Sequence, residues 1–208
     1  MNFLKLIDQL TLRIMRPLPG QAAHAKVSPS KRLATDDYLS NNPSYKSGCV
    51  TILLFPDQEI VRLLLMERSV GNNPHSGQIS FPGGKKEMDD QSLEETALRE
   101  TYEEVGIDPA QINLIGKISD IYIPGSNYLV HPFLGYSMAK PETKLNPLEV
   151  KSILIPSLEL FLSDDLPKAE FQSKLAGLIE APYYSFENHK IWGATAMMIR
   201  ELVEMIKD

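Results

Sequence analysis

Residues 83–107 read GGKKEMDDQSLEETALRETYEEVGI, and this stretch decides the fold. Glu100, Glu103 and Glu104 stand at i, i+3 and i+4, which is one face of a helix within one turn. Ser92 and Glu95 form a capping-box pattern that starts the helix, and Gly106 is placed to end it as a left-handed cap. Leu98, Tyr102 and Val105 fall on the opposite side. The spacing therefore predicts a helix with a core face on one side and a carboxylate face on the other.

Like charges one turn apart oppose each other by roughly 0.2–0.5 kcal/mol per pair, and a hard divalent cation removes that penalty. Magnesium takes oxygen ligands, often one or two carboxylates with water and substrate phosphate oxygens. Glu100, Glu103 and Glu104 are thus candidate ligands for Mg2+, with Mn2+ as a substitute. Arg99, one turn before Glu103, can orient it by a paired hydrogen bond. A solvated acidic face is the alternative for such a pattern, and the flanking residues decide against it.

Gly84 followed by Arg99-Glu100-Thr101-Tyr102-Glu103-Glu104-Val105-Gly106-Ile107 resembles the signature of the Nudix hydrolases. The spacing from Gly84 to Arg99 is one residue longer than usual, the first acidic position of the box falls at Asp90 or Gln91, and Thr101 stands where an aliphatic residue is usual. Upstream, Arg68-Ser69 and the run HSGQISFPGG at residues 75–84 resemble the coenzyme A pyrophosphatase branch. Ile123-Pro124, Glu149-Val150 and the run IWGATA at residues 191–196 extend the resemblance over most of residues 48–200. Asn72 and Asn73 occupy the positions of that branch's Leu-Arg pair.

The resemblance implies an α/β/α sandwich with a mixed sheet, and a magnesium-dependent hydrolase of a phosphoanhydride bond. Its small-molecule substrate would be coenzyme A or an acyl-coenzyme A, cleaved to 3',5'-adenosine bisphosphate and 4'-phosphopantetheine or its acyl form. ADP-ribose or a dinucleotide is the alternative substrate. A catalytically silent nucleotide-binding or regulatory module is the alternative class.

For the base that takes the proton of the attacking water, Glu103 ranks first, ahead of the loop carboxylates Glu149 and Glu187. Gly83 and Gly84 let the backbone pass close to metal and phosphate. Arg68 is a candidate phosphate contact, because a guanidinium can grip two oxygens at once, or else a surface ion pair. Lys85 and Lys86 read as solvated partners of the acidic helix, His75 as structural, and Trp192 as a core anchor that could otherwise stack on adenine.

The chain has 208 residues, 43% of them hydrophobic, which suffices for one sizeable core. Its apolar runs are too short to cross a bilayer and the start lacks a signal-peptide pattern, so a cytoplasmic protein is expected. A net charge of -6 argues against non-specific contact with nucleic acid. A single cysteine, Cys49, excludes an intrachain disulfide and reads as a buried thiol.

Phe3, Ile7, Leu10 and Ile14 recur at helical spacing, and Pro17 to Pro43 read as a connector, so residues 1–45 form an N-terminal helical extension to a domain at 46–208. Lying on its own domain is the ordinary place for such a helix. Exchange within a homodimer, or a membrane surface, are the alternatives. Strands are predicted at Cys49–Phe55, Ile60–Met66, Gln78–Phe81, Ile112–Ser119, Tyr128–Tyr136 and Val150–Ile155, with a short helix at Ser157–Leu162. A hairpin around Glu187-Asn188 then leads to a closing helix that runs to Ile206.

Overall fold

The computed structural model describes residues 2–30, 32–41, 44–70, 77–173 and 177–208. Helices α1 (Phe3–Arg13), α2 (Gly20–Ala25) and α3 (Thr35–Asn41) lead into β1 (Lys46–Asp57). Strands β2 (Ile60–Leu63), β3 (Leu65–Arg68), β4 (Ile79–Ser80) and β5 (Gly83–Lys85) precede α4 (Leu93–Val105). After it come β6 (Asn113–Lys117), β7 (Ile121–Ile123), β8 (Tyr128–Tyr136) and β9 (Val150–Leu154). The chain closes with β10 (Lys168–Ser173), β11 (Gly177–Pro182), β12 (Tyr184–Phe186), β13 (His189–Ile191) and α5 (Gly193–Lys207).

β1 is the spine because Val50 to Phe55 is apolar on both faces, as a strand covered on both sides must be. Ile52 and Leu54 face α1 and α5, while Leu53 and Phe55 pack with Val105 and Ile107 at the end of α4. The strand order is β2-β1-β8-β6, with β5 also paired to β1 and β7 to β8. β1 and β8 run parallel from Lys46↔Tyr128 to Leu54↔Tyr136, whereas β2, β5, β6 and β7 pair antiparallel. The result is the expected mixed sheet between helices.

The strand expected over Ile60–Met66 divides at Leu64, where the chain leaves the main sheet and β3 joins a second one with the order β4-β3-β9. Alternation cannot signal this, since the residues on either side are buried in both sheets. The β10–β11 hairpin was not expected. Its first strand, KAEFQS, alternates only between exposed and half-buried positions and so lacks an apolar face.

α1 starts at Asn2, whose Oδ1 accepts from the Lys5 N–H at 3.0 Å. It buries Leu6, Ile7 and Leu10 in the same core as Leu202 and Met205 of α5. The expected connector contains α2 and α3, and α2 is fastened by a buried pair, His24 Nε2 to Glu201 Oε2 at 2.8 Å. Among the described residues no helix is long and apolar enough to cross a membrane.

Candidate active site

α4 forms where its caps predict. Ser92 Oγ accepts from the Glu95 N–H at 3.1 Å, and Glu95 Oε2 reaches back to the Gln91 N–H at 2.6 Å. Gly106, at φ +74°, closes the other end with its N–H on the Tyr102 carbonyl, and an added Cβ there would meet the Lys144 carbonyl oxygen at 2.6 Å. The expected core face needs correction, however. Val105 is buried and Leu98 is half-buried, but Tyr102 is 56% exposed.

The buried stripe of α4 instead comprises Thr96, Ala97, Glu100, Thr101 and Glu104. These mostly small and hydroxylated residues let the helix lie close against β1 and β5. Thr101 Oγ1 donates to the Ala97 carbonyl at 2.7 Å and lies 2.8 Å from Thr51 Oγ1 of β1, so a hydroxyl replaces the usual aliphatic without being left unpaired.

Because that face turns inward, the glutamates meet the glycine loop. Glu104 is fully buried and its Oε2 accepts from the Gly83 N–H at 2.8 Å. Its Oε1 accepts no hydrogen bond, and the Arg68 Nη2 stands 3.2 Å away. Arg68 ends β3, where the register with β9 shifts from Glu67↔Ser152 to Arg68↔Val150. Burial pushes the Glu104 carboxyl up to about 7, against the pull of Arg68 and the Gly83 N–H. Burial also raises Glu100.

Gly84 passes directly beneath Glu100, where an added Cβ would lie 2.4 Å from the carboxylate. Arg99 gathers the remaining acids. Its Nε and Nη2 bind Asp90 at 2.8 and 2.9 Å, its Nη1 binds Glu103 at 2.9 Å and Glu100 at 3.2 Å, and Nη2 also donates to the Lys85 carbonyl at 3.1 Å. Asp90, rather than Gln91, thus fills the first acidic position of the box. The Arg99 side-chain hydrogen bonds, joined by the Glu87 N–H and the Thr96 hydroxyl, hold its carboxyl far below the usual range despite its burial. Sequence reasoning left Asp90 without a partner because nine positions separate it from Arg99.

Glu100, Glu103, Arg68, Gly83 and Gly84 all line one cleft of about 1120 Å3. Glu149 joins them at its rim, because the loop before β9 is tied to the end of α4 by Lys144 N–H to Val105 carbonyl (2.8 Å) and Asn146 N–H to Glu104 carbonyl (2.9 Å). Glu187 does not join them. It sits exposed at the β12–β13 turn with φ +50°. Trp192 is not a core anchor either: half-buried, it stacks on Phe171 at 4.1 Å and forms part of the cleft wall. Asn72, Asn73 and His75 lie outside the described residues.

Among the described residues, no group of three or more acidic, histidine or cysteine side chains already surrounds a common point. The residues nonetheless fit a divalent cation in chemistry. The donors are all carboxylate oxygens, burial makes the charge on two of them costly, and one buried oxygen of Glu104 lacks a hydrogen bond.

An α/β/α sandwich with a carboxylate helix over a glycine loop defines a class that comparison with known proteins makes specific. Residues 46–178 match the NUDIX domain. The uncharacterized Nudix hydrolase NudL of Yersinia pestis (strain Pestoides F) is 33% identical over 182 residues, covering 86% of this chain and 87% of that protein. NudL of Photorhabdus laumondii is 31% identical over 173 residues, covering 81% and 88%. In fold, the chain superposes on a MutT/nudix family protein from Enterococcus faecalis with a TM-score of 0.54 at 14% identity, over 83% of this chain and 69% of the other. The chain belongs to the Nudix hydrolase family, and its reaction class is hydrolysis of a diphosphate bond.

Proposed function

We propose that this chain cleaves the diphosphate of coenzyme A or an acyl-coenzyme A, releasing 3',5'-adenosine bisphosphate and 4'-phosphopantetheine or its acyl form. The observation that carries the reading is the cleft beside the glutamates. At about 1120 Å3 it slightly exceeds the size range of ordinary ligand pockets, about 300–1,000 Å3, and so has room for a nucleotide with a long arm. Arg68 and, from the GQISFPGG segment, residues 78–81 with Gly83 and Gly84 form part of its wall, and both segments resemble the coenzyme A pyrophosphatase branch.

Glu100, Glu103 and Glu104 would hold Mg2+, which when bound neutralises phosphoryl charge and lowers the pKa of a water. The chain's own groups do the rest. Arg68 and the Gly83 N–H fix Glu104, and Arg99, itself locked on Asp90, fixes Glu103 and Glu100. Glu103, half-exposed at the cleft, accepts the proton of the attacking water, with Glu149 at the rim as the second candidate. Gly84 leaves the space that the Glu100 carboxylate itself fills, which lets that carboxylate lie against the glycine backbone.

The substrate is tested by mass spectrometry of products after incubation with Mg2+ and, separately, coenzyme A, an acyl-coenzyme A, ADP-ribose and NADH. Preferred release of 3',5'-adenosine bisphosphate supports the reading. Preference for ADP-ribose or NADH, which the Asn72-Asn73 pair keeps open, replaces the substrate and keeps the hydrolase. Absence of turnover on all four points to another substrate or to a binding module. Glu103→Gln should lower kcat by about 10²–10⁴-fold, and an unimpaired variant would remove Glu103 from the mechanism.

A further inference from the structure

Beyond the diphosphate site, the end of the main sheet carries an unassigned basic hollow of about 370 Å3, lined by Lys46, Ser47, Lys85, Lys86 and Tyr128. The sheet brings these residues together from three strands. Lys46 of β1 pairs with Tyr128 of β8, and Lys85 of β5 pairs with Gly48, two positions along β1. Since alternate residues share a face, Lys46, Lys85 and Tyr128 project from the same side of the sheet as Gly48. Gly48 makes room there, because a Cβ on it would meet the Tyr128 ring at 3.2 Å.

Two of the three cations lack a carboxylate partner. Among the described residues, Lys46 stands 5.7 Å over the Tyr128 ring and makes no ion pair, and the Lys86 ammonium donates only to the Asp90 carbonyl at 2.9 Å. Lys85 faces Glu87 at 3.6 Å. In a chain of net charge -6, cations left over in one hollow stand out. The hollow is also continuous with the cleft, since Lys46, Lys85 and Tyr128 line both. It is anchored to the glutamate cluster as well, through the Lys85 carbonyl that accepts from Arg99.

We infer that Lys46 and Lys85, with the hydroxyl of Tyr128, form a subsite for a phosphate monoester carried by the substrate in addition to its diphosphate, while Ser47 and Lys86 project from the other side of the sheet. The ligand class is a nucleotide phosphorylated at a second position. A dianionic monoester suits two ammonium groups, which act as point charges beside it without requiring a bidentate fit. The diphosphate then lies at the glutamates and the extra phosphate at the lysines. This deepens the coenzyme A reading and rests on it for the identity of the substrate: coenzyme A carries such a monoester, whereas ADP-ribose and NADH do not.

The test separates binding from turnover. Calorimetric titration of the full chain with 3',5'-adenosine bisphosphate and with 5'-adenosine monophosphate should show about tenfold tighter binding of the bisphosphate, the worth of a charge-assisted contact. Lys46→Ala and Lys85→Ala should each reduce that ratio toward one, and Lys46→Arg should restore most of it. Equal binding of the two nucleotides, binding of neither, or a ratio that survives both alanine variants overturns the subsite. Cleavage of coenzyme A alongside equal binding keeps the reaction and discards the subsite. A lysine-dependent preference without coenzyme A cleavage keeps the subsite and discards the substrate.

Discussion

Gly83 and Gly84 are adjacent, yet a methyl group added to each meets a different obstacle. At Gly83 it would lie 2.1 Å from the Cys49 carbonyl oxygen, on a backbone at φ +153° that L side chains rarely adopt. At Gly84 it would meet the movable end of Glu100. Gly83→Ala should therefore lower unfolding free energy by about 1–3 kcal/mol or more in a denaturant titration, as overpacking against backbone does. Gly84→Ala should keep its melting temperature and lose about a hundredfold in kcat, because it displaces a carboxylate in the site. Full activity in Gly84→Ala would mean that the placement of Glu100 is irrelevant. The spacing of the three glutamates is visible in the sequence because it is local. The contact from Arg68 to Glu104 is not, since it joins the end of β3 to the end of α4 across 36 positions of sequence.

Among the elements, α4 shows how far a hydrophobic pattern carries. Its ends follow from Ser92, Glu95 and Gly106, because caps are chemistry between near neighbours. Its rotation does not, because Gly83 and Arg68 supply a polar surface that draws Glu104 inward and leaves Tyr102 outside. α5 has a similar inward acid in Glu201, whose oxygens accept from His24, the Ser119 hydroxyl (2.6 Å) and the Gly20 N–H (3.1 Å). Burial alone would raise this carboxyl, but the bonds from His24 and Ser119 outweigh it and hold it below the ordinary glutamate value of 4.5. A lowered folded-state pKa means stability that is present above 4.5 and lost as pH falls through the lower, folded value. Glu201→Gln should thus cost about 1–3 kcal/mol at neutral pH and flatten the acid limb of a melting-temperature profile. An acid limb identical to that of the parent would rule out this linkage.

At the scale of the whole molecule, the N-terminal helix shares a core with the closing helix rather than resting on a finished domain. Leu10 has no exposed surface and sits in the cluster that contains Leu202 and Met205. Leu10→Ala should cost about 2–5 kcal/mol and shift one cooperative transition. A separate early transition for α1, seen by circular dichroism, would contradict a shared core. The parallel pairing of β1 with β8 has a further consequence, for how the chain is made. Lys46 finds Tyr128 only 82 positions later, and no tight turn can bring parallel strands together. While the ribosome works towards residue 136, the run VTILLF has only β2 and β5 as strand partners and lacks β8 along its length. Half-made chains therefore expose a sticky strand, and dependence on chaperones and slow refolding from denaturant are the expected price of a central strand whose neighbour is born late.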